Sequence, residues 1–475
     1  MNKIFKKWRS VPDSVKSSIA FAFSAFIIKG IAFLVTPIFT RIMEIEDYGI
    51  ITTYNSWVSI IEIFALLGLT SAGVFNVGLK ENKETRDKYI STCLGLCNVC
   101  TIIVFLFIFV LKCILGEEFW ISNDLIIVMF IHFLFNPAQI FWITRQRYEY
   151  KYKLATLVTV ATVILSQILS LIGVLKFKDN PVIAKILGNE LGILILTLPI
   201  FIVLIKKGKT YIDFNSWKNI LILALPLIPH YLAQHVMSGA DKIMISDMVN
   251  SGDAAIYGVV SNIGMVGTIL WSAINGSLIP FTFENIESKN YGKIKKTSNS
   301  LMIFYAIMCV GIILIAPEVL KILAPSEYYV GIYCVPPIVM VVFLQALYNL
   351  YANVEFYYKK TKRIAIATII ATIVNLGLNY LIIPKYSFVG AAYTTLISYI
   401  VLIIIHYLGY KSCMNEEVYD NKFIFIIVVS LLFISILSNI LYCLSDLLRY
   451  ACVVVILLTL FIKKDKIILL IKQIK

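Results

Sequence analysis

The chain has 475 residues, of which 59% are hydrophobic and 15% charged, and its mean hydropathy is +0.86. A water-soluble globular protein cannot bury that much apolar surface, so the composition excludes that class and indicates a polytopic membrane protein. The formal net charge of +14 is not a nucleic-acid signal, because 32 of the 42 Lys and Arg residues fall on one side of the predicted membrane spans. We therefore expect no nucleic-acid partner.

Fourteen apolar runs, each long enough to cross the hydrocarbon core as a helix, follow one another along the chain. The sequence predicts an all-α polytopic membrane protein with about 14 transmembrane helices, because the strands of a barrel would alternate and be about half as long. The predicted spans cover residues 19–40, 51–79, 90–115, 122–144, 154–177, 183–205, 219–240, 254–279, 299–323, 332–357, 363–384, 389–410, 422–443 and 446–463.

The distribution of basic residues predicts the orientation of these spans. The Lys and Arg residues concentrate in the N-terminal tail, in the loops after even-numbered spans and in the C-terminal tail, whereas the other loops are short and acidic. Basic loops stay in the cytoplasm, so both termini are expected there. The first apolar run is long enough to span and has no small-residue cleavage site after it, so we expect no cleaved signal peptide.

The first hairpin, residues 19–79, has one ionisable residue near the middle of each arm, with an acidic turn at 41–49 between the arms. Lys29 and Glu62 are separated from that turn by similar numbers of residues and are therefore expected at similar depth in the bilayer. A charge at the bilayer centre costs about 2.5–3.5 kcal/mol, which favours a functional site facing a cavity. The alternative is a Lys29–Glu62 pair that only joins the two helices.

Further polar residues in the first half lie in spans 4 and 6. Arg145 and Arg147 lie where span 4 leaves the membrane, and they fit either topological anchoring or a cationic cytoplasmic mouth for an anionic lipid headgroup. Lys185 is explained by snorkelling. Glu190 is deeper in span 6 and is the better cavity candidate.

Span 7 is the most irregular in the chain. Pro226 and Pro229 each remove a backbone donor, so this helix is predicted to bend or break. His230 and Gln234 follow immediately, and polar groups beside such a break are expected to line a transport cavity. His230 fits equally well a core histidine bonded to a freed carbonyl.

The second half also carries embedded amides. Asn262 lies in span 8, and Gln345, Asn349 and Asn353 form a stripe at four-residue spacing on span 10. Such a stripe indicates either hydrogen bonding between helices or a lined path. The nine cysteines lie in or beside spans without a matching histidine, so no metal site is expected.

Spans 1–6 and 7–12 read as two copies of one unit. At an offset of 209 residues, Tyr48-Gly49 returns as Tyr257-Gly258, and Tyr148 returns as Tyr357. Six spans per copy make the copies parallel repeats, and transporters built this way place substrate between their halves. The predicted organisation is a cytoplasmic tail at 1–18, an N-lobe at 19–210, a C-lobe at 211–415, and spans 13–14 with a cytoplasmic tail at 416–475.

Several motifs together resemble a known family. They are Lys29-Gly30, the Pro37–Arg41 exit, the Glu46–Gly49 turn, Asp241-Lys242-Ile-Met and Ala255–Gly258. These resemble the polysaccharide-exporter branch of the multidrug/oligosaccharidyl-lipid/polysaccharide superfamily, which includes Wzx-type O-antigen (O-unit) flippases. The similarity covers roughly residues 15–410.

The resemblance implies a MATE-like fold, with two parallel six-helix lobes and two extra C-terminal helices. It also implies a flippase, not an enzyme, that moves an undecaprenyl-pyrophosphate-linked oligosaccharide from the cytoplasmic to the outer leaflet of the bacterial inner membrane by alternating access through a cationic central cavity. The implied partners are this substrate, membrane lipids, a polysaccharide polymerase and a chain-length regulator. No cofactor is expected beyond a coupling proton or Na+.

Residue roles are expectations at this stage. The substrate-cavity candidates are Lys29, Glu62, His230, Gln234, Asn262 and Asn349. The pyrophosphate or headgroup candidates are Lys29, Arg41, Arg145, Arg147 and Lys242. The coupling candidates are Glu62, Glu190 and Asp241.

Three other functions remain open from the sequence. A MATE-type drug or cation antiporter of the same fold would favour an acidic, aromatic-lined cleft, against which the basic Lys29 argues. A lipid II flippase of the same fold is expected to have more arginines in its first spans. A membrane-embedded polysaccharide polymerase or ligase would need a sizeable outward loop, and every predicted outward loop is short.

Overall fold

A computed structural model describes residues 12–70, 74–80, 82–116, 121–414, 416–444 and 446–462, with the backbone alone at 13–15, 18–19, 456–457 and 459–462. The basic residues Lys3 to Arg9, the acidic pair Glu117–Glu118 and the predicted C-terminal tail lie outside the described residues. The described part of the chain is helical without strands, which confirms the all-α prediction.

Twelve of the described helical segments are long and apolar enough to cross a membrane. Each of the fourteen predicted spans overlaps a described helix. The numbers differ because Thr361–Cys413 contains two predicted spans and because the helix of the last predicted span has only 17 residues. In the first part of the chain the helices are α1 Asp13–Ile42, α2 Ile45–Leu66, α3 Val74–Leu79, α4 Lys83–Leu115, α5 Asn123–Tyr148, α6 Tyr152–Lys176, α7 Pro181–Gly208, α8 Phe214–Ala224 and α9 Ile228–Met248. The later helices are α10 Ser251–Glu287, α11 Tyr291–Leu323, α12 Val335–Tyr357, α13 Thr361–Cys413, α14 Asn421–Leu444 and α15 Asp446–Ile462.

The first hairpin differs from its prediction. The turn is limited to Met43 and Glu44, because α2 already begins at Ile45 and keeps Glu46 and Asp47 in its first turn. Carboxylates there interact favourably with the positive end of the helix dipole. The predicted span 51–79 is also too long, since α2 ends at Leu67 in a left-handed conformation and α3 is a separate short helix.

Two other breaks follow local backbone chemistry. A 3₁₀ turn at Leu225–Leu227 separates α8 from α9 around Pro226, which confirms the predicted interruption of span 7. Within α13, Ser387 has non-helical φ 48° and ψ −137°, and this break separates the predicted spans 363–384 and 389–410. The Ser387 hydroxyl donates a hydrogen bond to Asp253, which holds the break.

The described chain forms two compact units that divide between His235 and Val236. The predicted lobe boundary at residues 210–211 stays a prediction. In the first unit, α6 and α7 approach closely because Gly188 and Gly192 leave room for the partner backbone. A Cβ at either position would collide with the backbone near Ser166 or Ser170.

In the second unit, α15 is attached to α11 by an ion pair. Arg449 is fully buried, and its guanidinium donates to both carboxylate oxygens of Glu318 at 2.6 and 2.9 Å and to Asp446 at 2.7 Å. Such bidentate geometry satisfies the buried charge. The contact of α15 with α11 therefore depends on Arg449, a charged residue in an otherwise apolar stretch of the sequence.

The same turn ends α5 in the first unit and α12 in the second. Tyr150 and Lys359, 209 residues apart, both have left-handed φ values of 54° and 58°. In the first turn the amide of Lys151 donates to the carbonyl of Gln146 at 2.8 Å. In the second the amide of Lys360 donates to the carbonyl of Glu355 at 2.9 Å. The same turn also follows α10 at Lys289, so it does not distinguish the repeat, which stays a prediction.

Candidate functional site

Lys29 lies near the middle of the candidate span Ala20–Ile42 and is half-buried. No ion pair joins it to a carboxylate within the described residues, so the structure does not show the Lys29–Glu62 pair that the sequence left as an alternative. Lys29 lies 13 residues before Ile42 and Glu62 lies 17 residues after Ile45. The two counts differ by four residues, about 6 Å of helix rise, because the turn is shorter than predicted. The similar depth of the two residues stays a prediction.

Glu62 of α2 has histidines as its electrostatic neighbours instead. It interacts with His132 of α5 and with His235 at the end of the first unit. The Nδ1 atom of His235 lies 2.7 Å from the hydroxyl of Ser59, one turn before Glu62 on the same helix. The structure therefore brings His235, which was not among the predicted cavity residues, towards this carboxylate.

A carboxylate–imidazole pair lies beside this group. The Nδ1 atom of His132 is 2.9 Å from Glu190 on α7, and Glu190 is buried. The amide of Asn136 lies 3.1 Å from the other ring nitrogen, and Asn189 donates to the second carboxylate oxygen at 3.3 Å. This chain of hydrogen bonds fixes both side chains, and it can accept or release a proton without exposing an unpaired charge.

Asp241 of α9 is the centre of a buried polar cluster in the second unit. Its carboxylate is 3% exposed and accepts hydrogen bonds from Tyr257 at 2.7 Å, Asn379 at 2.7 Å and Thr395 at 2.6 Å. Asn375 donates to Thr395 at 3.1 Å. Carboxylate, hydroxyl and amide oxygens are the ligands of hard cations, and a carboxylate also takes a proton. The cluster can therefore hold either kind of coupling ion.

Three further cations named from the sequence have different surroundings. Arg41 is exposed in the last turn of α1, where its guanidinium donates to the Pro37 carbonyl at 2.9 Å. Lys242 follows Asp241 directly, is half-buried and interacts with it electrostatically. Lys185 lies over the rings of Phe39 and Tyr48, 4.5 and 5.2 Å from their centroids.

The predicted amides and histidine of the cavity are half-buried. This applies to His230, Gln234, Asn262 and Asn349. The amide of Asn349 donates to the Gln345 carbonyl of its own helix at 2.9 Å. Asn353, the next member of the stripe, bonds Asn275 of α10 at 3.0 Å, so part of the stripe serves contact between helices.

Sequence reasoning missed a second carboxylate–imidazole pair, in the second unit. Glu355 of α12 and His406 of α13 are both fully buried and form a hydrogen bond through the Nδ1 atom. The ring of Tyr348 stands edge-on to His406, with centroids 4.7 Å apart. The two partners are 51 residues apart in the sequence, so no local spacing announces them. For the Asp241 cluster, the four-residue spacing of Asn375 and Asn379 was the feature of the sequence that could have indicated a buried polar helix face.

Arg145 and Arg147 have different surroundings. Arg145 is buried and donates to Asp87 and to Glu149, the latter at 2.9 Å. Arg86 also donates to Glu149 at 2.9 Å, which joins the start of α4 to the end of α5. This region is called the basic end below. Arg147 is exposed and lines a cavity of about 890 Å³.

The ion cluster around Arg145 makes the basic end sensitive to acid. Although partial burial alone would raise the pKa of Glu149, hydrogen bonds from Lys151, Arg145 and Arg86 lower it to about 2. A depressed carboxyl pKa stabilises the folded state above the unfolded pKa near 4.5, and this contribution disappears as the pH falls towards 2.

We therefore expect Glu149→Gln to lower the thermal unfolding midpoint of the purified protein at neutral pH. The difference from the wild type should shrink as the pH is lowered from about 4.5 towards 2, since both proteins then have a neutral side chain at this position. Thermal unfolding in detergent over this pH range measures the effect. A difference that stays constant with pH would contradict the assignment.

The fold defines a multi-span membrane protein with buried polar groups between its helices. Residues 14–286, more than half of the chain, match the family model described as polysaccharide biosynthesis protein. The chain belongs to this family. This confirms the resemblance to the polysaccharide exporters of the multidrug/oligosaccharidyl-lipid/polysaccharide superfamily.

Known proteins and structures agree with this assignment. A protein of the Lsg locus of Haemophilus influenzae is 21% identical over 371 residues, covering 76% of this chain and 88% of that protein. A structure of the lipid II flippase MurJ in an inward closed conformation has a TM-score of 0.68 at 16% identity, covering 95% of this chain and 100% of the flippase. An inward-facing multidrug resistance MATE transporter of the same superfamily has a TM-score of 0.60 at 15% identity, covering 82% and 98%. The fold is therefore the MATE and MurJ fold.

Proposed function

We propose that this protein is a flippase for an undecaprenyl-pyrophosphate-linked oligosaccharide, an O-antigen or capsule repeat unit. It moves the headgroup from the cytoplasmic to the outer leaflet of the bacterial inner membrane by alternating access. Both termini lie in the cytoplasm, as the distribution of basic residues predicts. A polysaccharide polymerase and a chain-length regulator use the product and are the expected partners.

The observation that carries this proposal is the position of Lys29 in the middle of a membrane span. A cation in the middle of a membrane span is costly, and no carboxylate in the described structure neutralises it by an ion pair. A pyrophosphate brings about two negative charges that Lys29 can compensate during passage. Membership of a polysaccharide biosynthesis family and the fold of a lipid II flippase support a lipid-linked sugar as the source of that pyrophosphate.

The hydrocarbon tail of such a substrate requires only an apolar surface. In the second unit a groove of about 520 Å³ is lined almost entirely by apolar side chains of α12, α13 and α14, with Lys422 and Asn421 among its few polar members. A hydrocarbon chain can lie in such a groove while the headgroup moves, because its burial loses no hydrogen bonds.

Coupling to an ion gradient is the second part of the proposal. Asp241 is the strongest candidate, because three donors from two other helices already organise its carboxylate. Binding of a proton or Na+ there changes hydrogen bonds that join α9, α10 and α13. Glu62 and Glu190, with their histidine neighbours, are the corresponding candidates in the first unit.

The proposal is tested with the purified protein in liposomes. Fluorescently labelled undecaprenyl-pyrophosphate oligosaccharide, lipid II and a cationic dye are supplied in separate samples, and an impermeant quencher measures how much of each changes sides. We expect movement of the oligosaccharide. Movement of lipid II alone would identify a lipid II flippase, and movement of the dye alone would identify a drug antiporter; either result would refute the proposal.

A further inference from the structure

The basic end of the first unit contains a cluster in which positive charge exceeds negative charge. Arg86, Arg145 and Lys151 all pair with Glu149, at 2.6 to 2.9 Å, and Arg145 also pairs with Asp87. Three cations therefore pair with only two carboxylates. Among the described residues, no further acidic side chain is paired within this cluster.

Arg147 and Lys80 are two further basic residues, and they line one cavity. Both are exposed, and neither forms an ion pair in the part of the chain that the structure describes. The guanidinium of Arg147 lies over the ring of Phe21, 4.7 Å from its centroid, a contact that positions the cation without supplying a hydrogen-bond acceptor. The donors of both residues therefore remain available to an anion.

The helix geometry of α5 explains why the two arginines differ. Ile140, Thr144 and Arg147 recur at four- and three-residue spacing, so they share one face of the helix and together line the cavity of about 890 Å³. Arg145 lies two residues before Arg147 and therefore points to another side, towards Asp87. One arginine belongs to the ion cluster and the other to the cavity.

The remaining walls of this cavity suit a carbohydrate. Tyr148 and Tyr150 contribute rings that are 41% and 54% exposed, and Asn76 contributes an exposed amide. None of the described lining residues is acidic.

We propose that this cavity is a docking site for a glycosyl-pyrophosphate headgroup at the cytoplasmic surface. Arg147 and Lys80 bind the phosphates, while Tyr148, Tyr150 and Asn76 contact the sugar. The volume lies within the range of about 300–1,000 Å³ that is common for ligand sites, and an arginine with a lysine is a usual combination for phosphate. The inference rests on the proposed function, because it assigns the place where the same substrate first binds.

The test uses the full-length protein in nanodiscs and two soluble probes, uridine diphosphate N-acetylglucosamine as a glycosyl pyrophosphate and inorganic pyrophosphate. We expect Arg147→Gln and Lys80→Gln each to weaken binding of both probes about tenfold, equal to 1.4 kcal/mol. Tyr150→Ala should weaken only the sugar-bearing probe. Lys151→Gln removes the same charge from a residue that is outside the cavity, and it should leave both affinities unchanged.

A phospholipid headgroup carries a phosphate too, so glycerol phosphate is added as a competitor. Equal competition by glycerol phosphate, or equal weakening by Lys151→Gln, would overturn the assignment. Transport in liposomes separates this proposal from the previous one. If the wild type moves the lipid-linked oligosaccharide and Arg147→Gln has unchanged half-saturation, the docking site is refuted and the flippase stands. If the probes bind as expected but no oligosaccharide moves, the flippase is refuted and the docking site stands.

Discussion

Replacing Lys29 by alanine is expected to abolish surface-glycan assembly while leaving the amount of protein in the membrane unchanged. The ammonium group offsets about 2.5–3.5 kcal/mol of the cost of bringing an anion to mid-membrane, so its loss should slow transport about 100-fold. The effect is measured by complementing a strain that lacks the protein and by the liposome assay. Lys29 forms no ion pair in the described structure, so its removal leaves no buried carboxylate without a partner.

Two control variants make this result specific. Lys29→Arg keeps the charge at the same depth and should retain part of the activity, whereas Lys206→Ala removes an exposed lysine near the end of α7 and should retain all of it. Full glycan assembly by Lys29→Ala would show that the mid-membrane cation is not needed. Loss of the protein from the membrane would assign Lys29 a structural role instead.

Asp241→Asn is expected to have the second largest effect, on coupling rather than on substrate binding. The amide has the shape of the carboxylate and can accept hydrogen bonds from Tyr257 and Thr395, but its nitrogen faces the amide donor of Asn379. The variant should fold, lose the ability to bind a proton or Na+ at this position, and transport at a rate that no longer depends on the ion gradient.

Thermal unfolding separates this role from a purely structural one. In the wild type, the ion that couples transport should raise the unfolding midpoint, either with added Na+ or with a change in pH. In Asp241→Asn the midpoint should no longer respond to that ion. Asn353→Ala breaks a comparable bond between α10 and α12 and should keep the response. If Asp241→Asn still responds like the wild type, the coupling ion binds elsewhere.

The hydropathy of the chain predicted the helices well, because spanning a bilayer requires about 20 apolar residues whatever surrounds them. The two prolines of span 7 predicted its interruption for an equally local reason, since proline removes a donor wherever it stands. The family motifs, such as the Asp241–Lys242 pair, led to the polysaccharide family that the family model confirms. These features depend only on residues that are close in sequence.

Helix ends and the partners of charged residues were harder to predict from the sequence. Residues 41–49 read as an acidic turn, yet the turn consists of Met43 and Glu44, because Glu46 and Asp47 are favourable in the first turn of a helix. Arg145 and Arg147 look equivalent in the sequence, and only the position of Asp87, 58 residues earlier, distinguishes the arginine of the ion cluster from that of the cavity.

The sequence by itself thus determined that this protein is built of membrane-spanning helices with a cation in the middle of the first span, and it predicted basic loops on one side. The tertiary structure decided which polar groups meet. Asp241 and Thr395 are 154 residues apart, and His132 and Glu190 are 58 apart. A buried polar group is stable only with a partner, and that partner is supplied by whichever helix packs beside it, which local periodicity does not reveal.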